Sequence, residues 1–160
     1  MKSRVAFTVL ALIASPLAAK DSLGVFGQWG AFRDPQVPRC YAIAAAESDA
    51  RDQAPYASVG TWPKRQVRGQ LHFRLSRNLA TNPRIALSIG AQRFELTGGG
   101  GDAWARDRTM DAAIVAAMRS AGTMSVSATD GAGRRFTDRY NLEGAATAMD
   151  AATVGCARVR

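Results

Sequence analysis

Histidine and cysteine are almost missing from this sequence. Its 160 residues hold one histidine, His72, and two cysteines, Cys40 and Cys156. That inventory excludes a zinc finger, a four-cysteine iron–sulfur centre and any metal site rich in His or Cys. No cofactor-binding motif is present, so neither metal nor cofactor is expected. Carboxylates are sparse too: 13 Asp+Glu stand against 21 Lys+Arg, a formal net charge of +8. Lysine is itself scarce, with only Lys2, Lys20 and Lys64, so the basic excess is arginine. No apolar run approaches the roughly 20 residues that a membrane-spanning helix needs. What remains is a globular composition, 47% apolar and 21% charged, at a length suited to one domain.

The N-terminus reads as an address. Lys2 and Arg4 precede an apolar run, Val5 to Ala14, interrupted only by Thr8. Ser15-Pro16 breaks it, and Leu17-Ala18-Ala19 supplies small residues for a signal peptidase. Residues 1–19 are therefore expected to be a secretory signal peptide cleaved after Ala19. Residues 20–160 would form a single exported domain, periplasmic or secreted, with a formal charge of +6. In an oxidising compartment two cysteines are expected to pair. A Cys40–Cys156 bridge would close a very long loop, worth on the order of 4–5 kcal/mol by chain entropy. Cys40 stands in the apolar run Cys40-Tyr41-Ala42-Ile43-Ala44 with no histidine near it, which favours a structural role over a nucleophilic one.

Along this domain, alternation of period two dominates. Strands are expected at Gly27–Arg33 with Trp29 inward, Arg39–Ala46, Tyr56–Trp62 and Val67–Arg77. In the last, Val67, Gly69, Leu71, Phe73 and Leu75 share one face, and Arg68, Gln70, His72, Arg74 and Ser76 the other. Arg84–Ile89 and Gln92–Thr97 form a hairpin about Gly90-Ala91, a type II′ sequence. Its register sets Ile85 opposite Leu96, Leu87 opposite Phe94 and Ile89 opposite Gln92. Gly98 to Gly101 reads as a flexible break. A helix follows, with Thr109 as N-cap and Asp111 in the first turn. Met110, Ala113, Ile114, Ala117 and Ala121 line its inner face, and Gly122 stops it. Thr123–Thr129 and Arg134–Leu142 are paired strands, and Asp138 marks the second as an edge strand or a bulge. The Ala-rich segment Gly144–Ala157 reads as a closing helix. The fold class is mainly β, an antiparallel β-sandwich with two short helices.

No constellation points to catalysis. The alternation gives His72 arginine neighbours and no nucleophile or orienting carboxylate, so it reads as a surface histidine. The glycine tract lacks the Gly-Lys-Ser/Thr of a phosphate loop and runs into Asp102. Asp102, Asp107 and Asp111 lie among Arg106 and Arg108, which fits ion pairing or helix capping. Arginine is the one real excess. Lys64, Arg65, Arg68 and Arg74 lie on or beside one strand, and Arg134, Arg135 and Arg139 on another. If the two faces adjoin, they make a candidate patch for an anionic lipid or polysaccharide. Nucleic acid is not expected, because no recognition motif is present.

Several stretches, in order, resemble the invasion-associated locus B family of exported bacterial proteins. Gly27-Gln28-Trp29-Gly30-Ala31-Phe32 resembles its opening strand, and Arg39-Cys40-Tyr41-Ala42-Ile43-Ala44 its cysteine after a short loop. Met110 to Val126 resembles its helix leading into a strand, and Asn141 to Asp150 its ending. Many members carry a cysteine where this chain has Arg33. The resemblance implies an exported β-sandwich, linked in some relatives to host-cell invasion, with no catalytic residues to carry over. The expected function is that of a non-enzymatic envelope protein binding an envelope or host component. The alternatives are a small exported cell-wall hydrolase and a periplasmic inhibitor or chaperone-like module that pairs by a strand edge.

Overall fold

The computed structural model describes residues 20–47 and 53–157. The expected signal peptide lies outside the described residues. Ten strands are present among them: β1 (Asp21–Phe26), β2 (Trp29–Asp34), β3 (Arg39–Ala45), β4 (Tyr56–Trp62), β5 (Val67–Arg74), β6 (Ile85–Ile89), β7 (Gln92–Gly99), β8 (Asp102–Trp104), β9 (Thr123–Thr129) and β10 (Arg135–Asn141). Helix α1 (Arg108–Met118) joins β8 to β9, and α2 (Ala145–Ala157) closes the domain. The mainly β, antiparallel reading with two helices is what the chain forms.

All ten strands belong to one antiparallel sheet, in the order β1-β2-β3-β4-β5-β8-β7-β6-β9-β10. The sheet folds over on itself, so its two layers are two halves of one hydrogen-bonded surface. The Phe73 ring of β5 meets the Tyr140 ring of β10 at 5.6 Å between centroids. Single bonds tie β10 to the other half: Trp29 Nε1 of β2 donates to the Asn141 carbonyl at 2.9 Å, and Glu47 N, just past β3, to that of Arg139 at 2.7 Å. Alternation drives this shape. Leu71, Phe73 and Leu75 are fully buried, as are Ile85, Leu87, Val126 and Tyr140 from the other half. Each such aliphatic or aromatic side chain contributes about 1.5–3 kcal/mol on burial. Helix α2 lies over β1 to β4, with Ala145, Ala148, Met149 and Ala152 buried. Its small side chains let the helix approach closely.

The hairpin about Gly90-Ala91 has the register read from the sequence, Ile85 with Leu96, Leu87 with Phe94 and Ile89 with Gln92. Other details differ. β1 precedes the first expected strand; a register shift between Ser22 and Gly24 breaks its alternation. The glycine tract is not a flexible break. β7 runs through Gly98 and Gly99, and Gly98 and Gly99 pair with Ala103 and Asp102 of β8. Gly98 is required there, since a Cβ would sit 2.4 Å from the Asp102 carbonyl oxygen. Helix α1 is capped by Asp107, not Thr109: its carboxylate accepts from Met110 N at 2.8 Å. A carboxylate outcompetes a hydroxyl at the positive end of the helix. The buried face carries Asp111 and Met118 in place of Ala113, which is exposed, and the helix ends at Met118, before Gly122. Of the two readings of Asp138, the edge strand holds and the bulge does not. β10 is the terminal strand and keeps its register with β9 throughout.

Candidate functional site

Cys40 of β3 and Cys156 of α2 form a disulfide, with Cα atoms 5.6 Å apart across 116 residues of sequence. The bond pins the C-terminal turn of α2 against the sheet where the β2–β3 turn meets the end of β4. A cleft of about 620 Å³ opens beside it, lined by Arg33, Asp34, Pro35, Pro38, Arg39, Pro63, Lys64 and Cys156. Sequence explains its walls. Asp34 is buried and accepts from Val37 N at 3.2 Å, which folds the Asp-Pro-Gln-Val-Pro turn back on itself. Pro63 opens the single 3-10 turn Pro63–Arg65 that follows β4. The prolines thus present rigid apolar surface.

The charge in the cleft is held in place. Arg33 Nε donates to Asp21 at 2.8 Å. The Arg39 guanidinium lies 4.7 Å above the Tyr41 ring, and its Nε is 3.9 Å from Asp34. That Nε is buried and has no hydrogen-bond partner. The nearest acceptor to it is the buried Asp34 carboxylate, beyond hydrogen-bond reach. Lys64 is exposed and makes no ion pair among the described residues. On the far side of the disulfide, Thr61, Pro63, Gln66, Arg68, Thr153, Cys156 and Ala157 line a second hollow of about 370 Å³.

The basic residues singled out from the sequence divide accordingly. Lys64 and Arg68 flank the disulfide, with Arg65 exposed on the turn between them. Arg74 lies at the other end of β5, bound to Asp102 at 2.8 Å. Arg134 pairs with Asp130 at 3.0 Å, and Arg135 and Arg139 point outward from β10. The inner faces of β5 and β10 meet at Phe73 and Tyr140, so their outer faces point away from each other. Arg68 and Arg74 lie on the outer face of β5, and Arg135 and Arg139 on that of β10. Arg33 and Arg39 were missed. They flank the Asp34-Pro35-Gln36-Val37-Pro38 turn, and two arginines bracketing a two-proline turn were the available signal.

Of the three aspartates named from the sequence, Asp107 and Asp111 sit at the start of α1, and Asp102 lies apart on β8. Asp107 caps α1. Asp111 accepts from Leu71 N at 2.9 Å, covering the stretch of β5 edge that short β8 leaves open. Burial raises the Asp111 carboxyl above its ordinary range, with the Leu71 hydrogen bond opposing and Asp107 adding to the rise. Asp102 turns to β5, where His72 Nε2 lies 2.9 Å from Oδ1. His72 thus has the orienting carboxylate that the alternation alone did not reveal. The pair sits on an outward sheet face, and among the described residues His72 hydrogen-bonds Asp102 alone.

The model of the invasion associated locus B protein family matches residues 30–153. The chain belongs to that family. Invasion associated protein B of Bartonella henselae, known from a crystal structure, has a similar fold. Its TM-score is 0.61 at 16% sequence identity, covering 86% of this chain and 97% of that one. A search of the curated proteins finds no match. The family match ends before Cys156, so the second anchor of the disulfide lies beyond it.

Proposed function

We propose that this member of the invasion associated locus B family is an exported, non-enzymatic envelope protein that binds an anionic component of the envelope or of a host surface. The observation that carries the reading is the cleft beside the disulfide: rigid proline walls lined also by Arg33, Arg39 and Lys64, of which Lys64 is exposed and makes no ion pair among the described residues. Apolar walls with a few convergent polar groups are how proteins commonly hold small anionic or amphiphilic ligands. The leader read in residues 1–19 and the single disulfide support export. The open setting of His72 and Asp102 supports binding over hydrolysis, because a hydrolase needs a nucleophile or second carboxylate within reach. No helix among the described residues is long and apolar enough to cross a membrane.

The test is co-sedimentation of the full exported protein with vesicles. Binding is expected to phosphatidylglycerol vesicles or lipopolysaccharide but not to phosphatidylcholine, and it should weaken as salt shortens the screening length from about 10 Å at 0.1 M to about 3 Å at 1 M. Substituting Arg39→Ala with Lys64→Ala should weaken binding roughly tenfold or more, in line with charge-assisted contacts. No binding at low salt, or binding that ignores salt and both substitutions, overturns the proposal.

A further inference from the structure

The outward face of β5, β8 and β7 carries a second arrangement with different chemistry. Trp104 is 38% exposed, unusual for an indole on a strand of an otherwise polar face. It is nonetheless fixed. The His72 ring stacks on it with centroids 5.4 Å apart and planes 26° apart, and Tyr56 meets the far side of His72 edge-on at 5.6 Å. His72 cannot swing away, because Asp102 holds Nε2. Asp102 is fixed in turn by Arg74 at 2.8 Å.

Among the described residues, the β7 side of this row is low. Trp104 pairs across the sheet with Thr97, and Asp102 with Gly99. Thr97 is small, and a Cβ on Gly99 would meet nothing within 4 Å. The indole and the carboxylate therefore stand side by side above a low floor on β7. Each carboxylate oxygen has already one partner and keeps a lone pair for another donor.

We infer that Trp104 and Asp102, braced by His72 and Arg74, form a platform that binds a pyranose ring of an uncharged glycan. A sugar ring offers a flat C–H face for an aromatic ring and hydroxyl donors at its rim for a carboxylate. A preformed stack loses little conformational entropy on binding. Arg74 offsets the charge of Asp102, so the platform favours no anion, unlike the cleft. The inference does not rest on the cleft.

The test is NMR titration of the full exported protein with two probes, cellohexaose and the β1,4-linked N-acetylglucosamine hexamer, at millimolar concentration. The Trp104 indole N–H resonance is assigned by its loss in Trp104→Phe. At least one sugar should shift it saturably, leaving that of buried Trp29 in place. Trp104→Ala should weaken binding roughly tenfold, Trp104→Phe less, and Asp102→Asn should weaken it with the indole intact. Trp104→Ala should leave vesicle binding unchanged. If neither sugar moves the Trp104 resonance, or if the affinity survives both Trp104→Ala and Asp102→Asn, the platform is not a glycan site.

Discussion

Asp138 is 1% exposed in the interior of β10, and its carboxylate accepts from Ser76 N at 2.9 Å. The bond links the chain just beyond β5 to the opposite half of the sheet, so a residue that breaks the alternation on paper serves as an internal tie. Its charge also acts on Tyr140. Burial first, and Asp138 second, hold the Tyr140 phenol above its ordinary range, so it stays protonated. Replacing Asp138 by alanine orphans a buried N–H. Urea unfolding should show a loss of about 1–3 kcal/mol, and an unchanged midpoint would refute this role. Asp111 acts in the same manner at the open edge of β5. These two carboxylates are polar exceptions to apolar faces, each placed where a backbone donor has no strand partner.

The β9–β10 turn shows the same chemistry at the scale of an element. Asp130 accepts from Arg134 N and Ala132 N, each at 3.0 Å, and from the guanidinium groups of Arg77 and Arg134. The Arg134 backbone bond leads in holding its carboxyl down to about 2 from an ordinary 3.8. A folded value below the unfolded one means the stabilisation is complete above the ordinary value and is lost as pH falls through the folded one. Stability should therefore drop between pH 3.8 and about 2, and Asp130→Asn should flatten that limb in acid unfolding curves. An identical limb in both proteins would contradict this. Elements built on local pattern were legible in advance: β4 and β9 fall at their expected bounds, and the Gly90 hairpin has its expected register. β8 was not, because Asp102–Trp104 is too short to alternate and follows a glycine tract that looks like a break. The cap of α1 moved because two acceptors, Asp107 and Thr109, stood two residues apart. The cleft needs α2 to dock on the sheet, a contact no local pattern carries. Of its lining, Lys64 and Cys156 were foreseen, Cys156 through the expected bridge to Cys40.

For the whole molecule, the Cys40–Cys156 bond spans most of the domain, joining an inner strand to the last helix. Reducing it, or replacing both cysteines by alanine, should lower the unfolding free energy by about 2–5 kcal/mol. The loss should fall first on α2, whose amides should exchange faster with solvent than those of β5 and β6. Equal protection of α2 in the oxidised and reduced proteins would show that packing alone holds the helix. The same bond has a kinetic side. With two cysteines in the chain, oxidation has one possible intramolecular product. No scrambled isomer can form, and no isomerase is needed to sort one. Closure must instead await the last turn of the last helix, so a chain emerging N-terminus first would build and fold its entire sheet before the staple could be set.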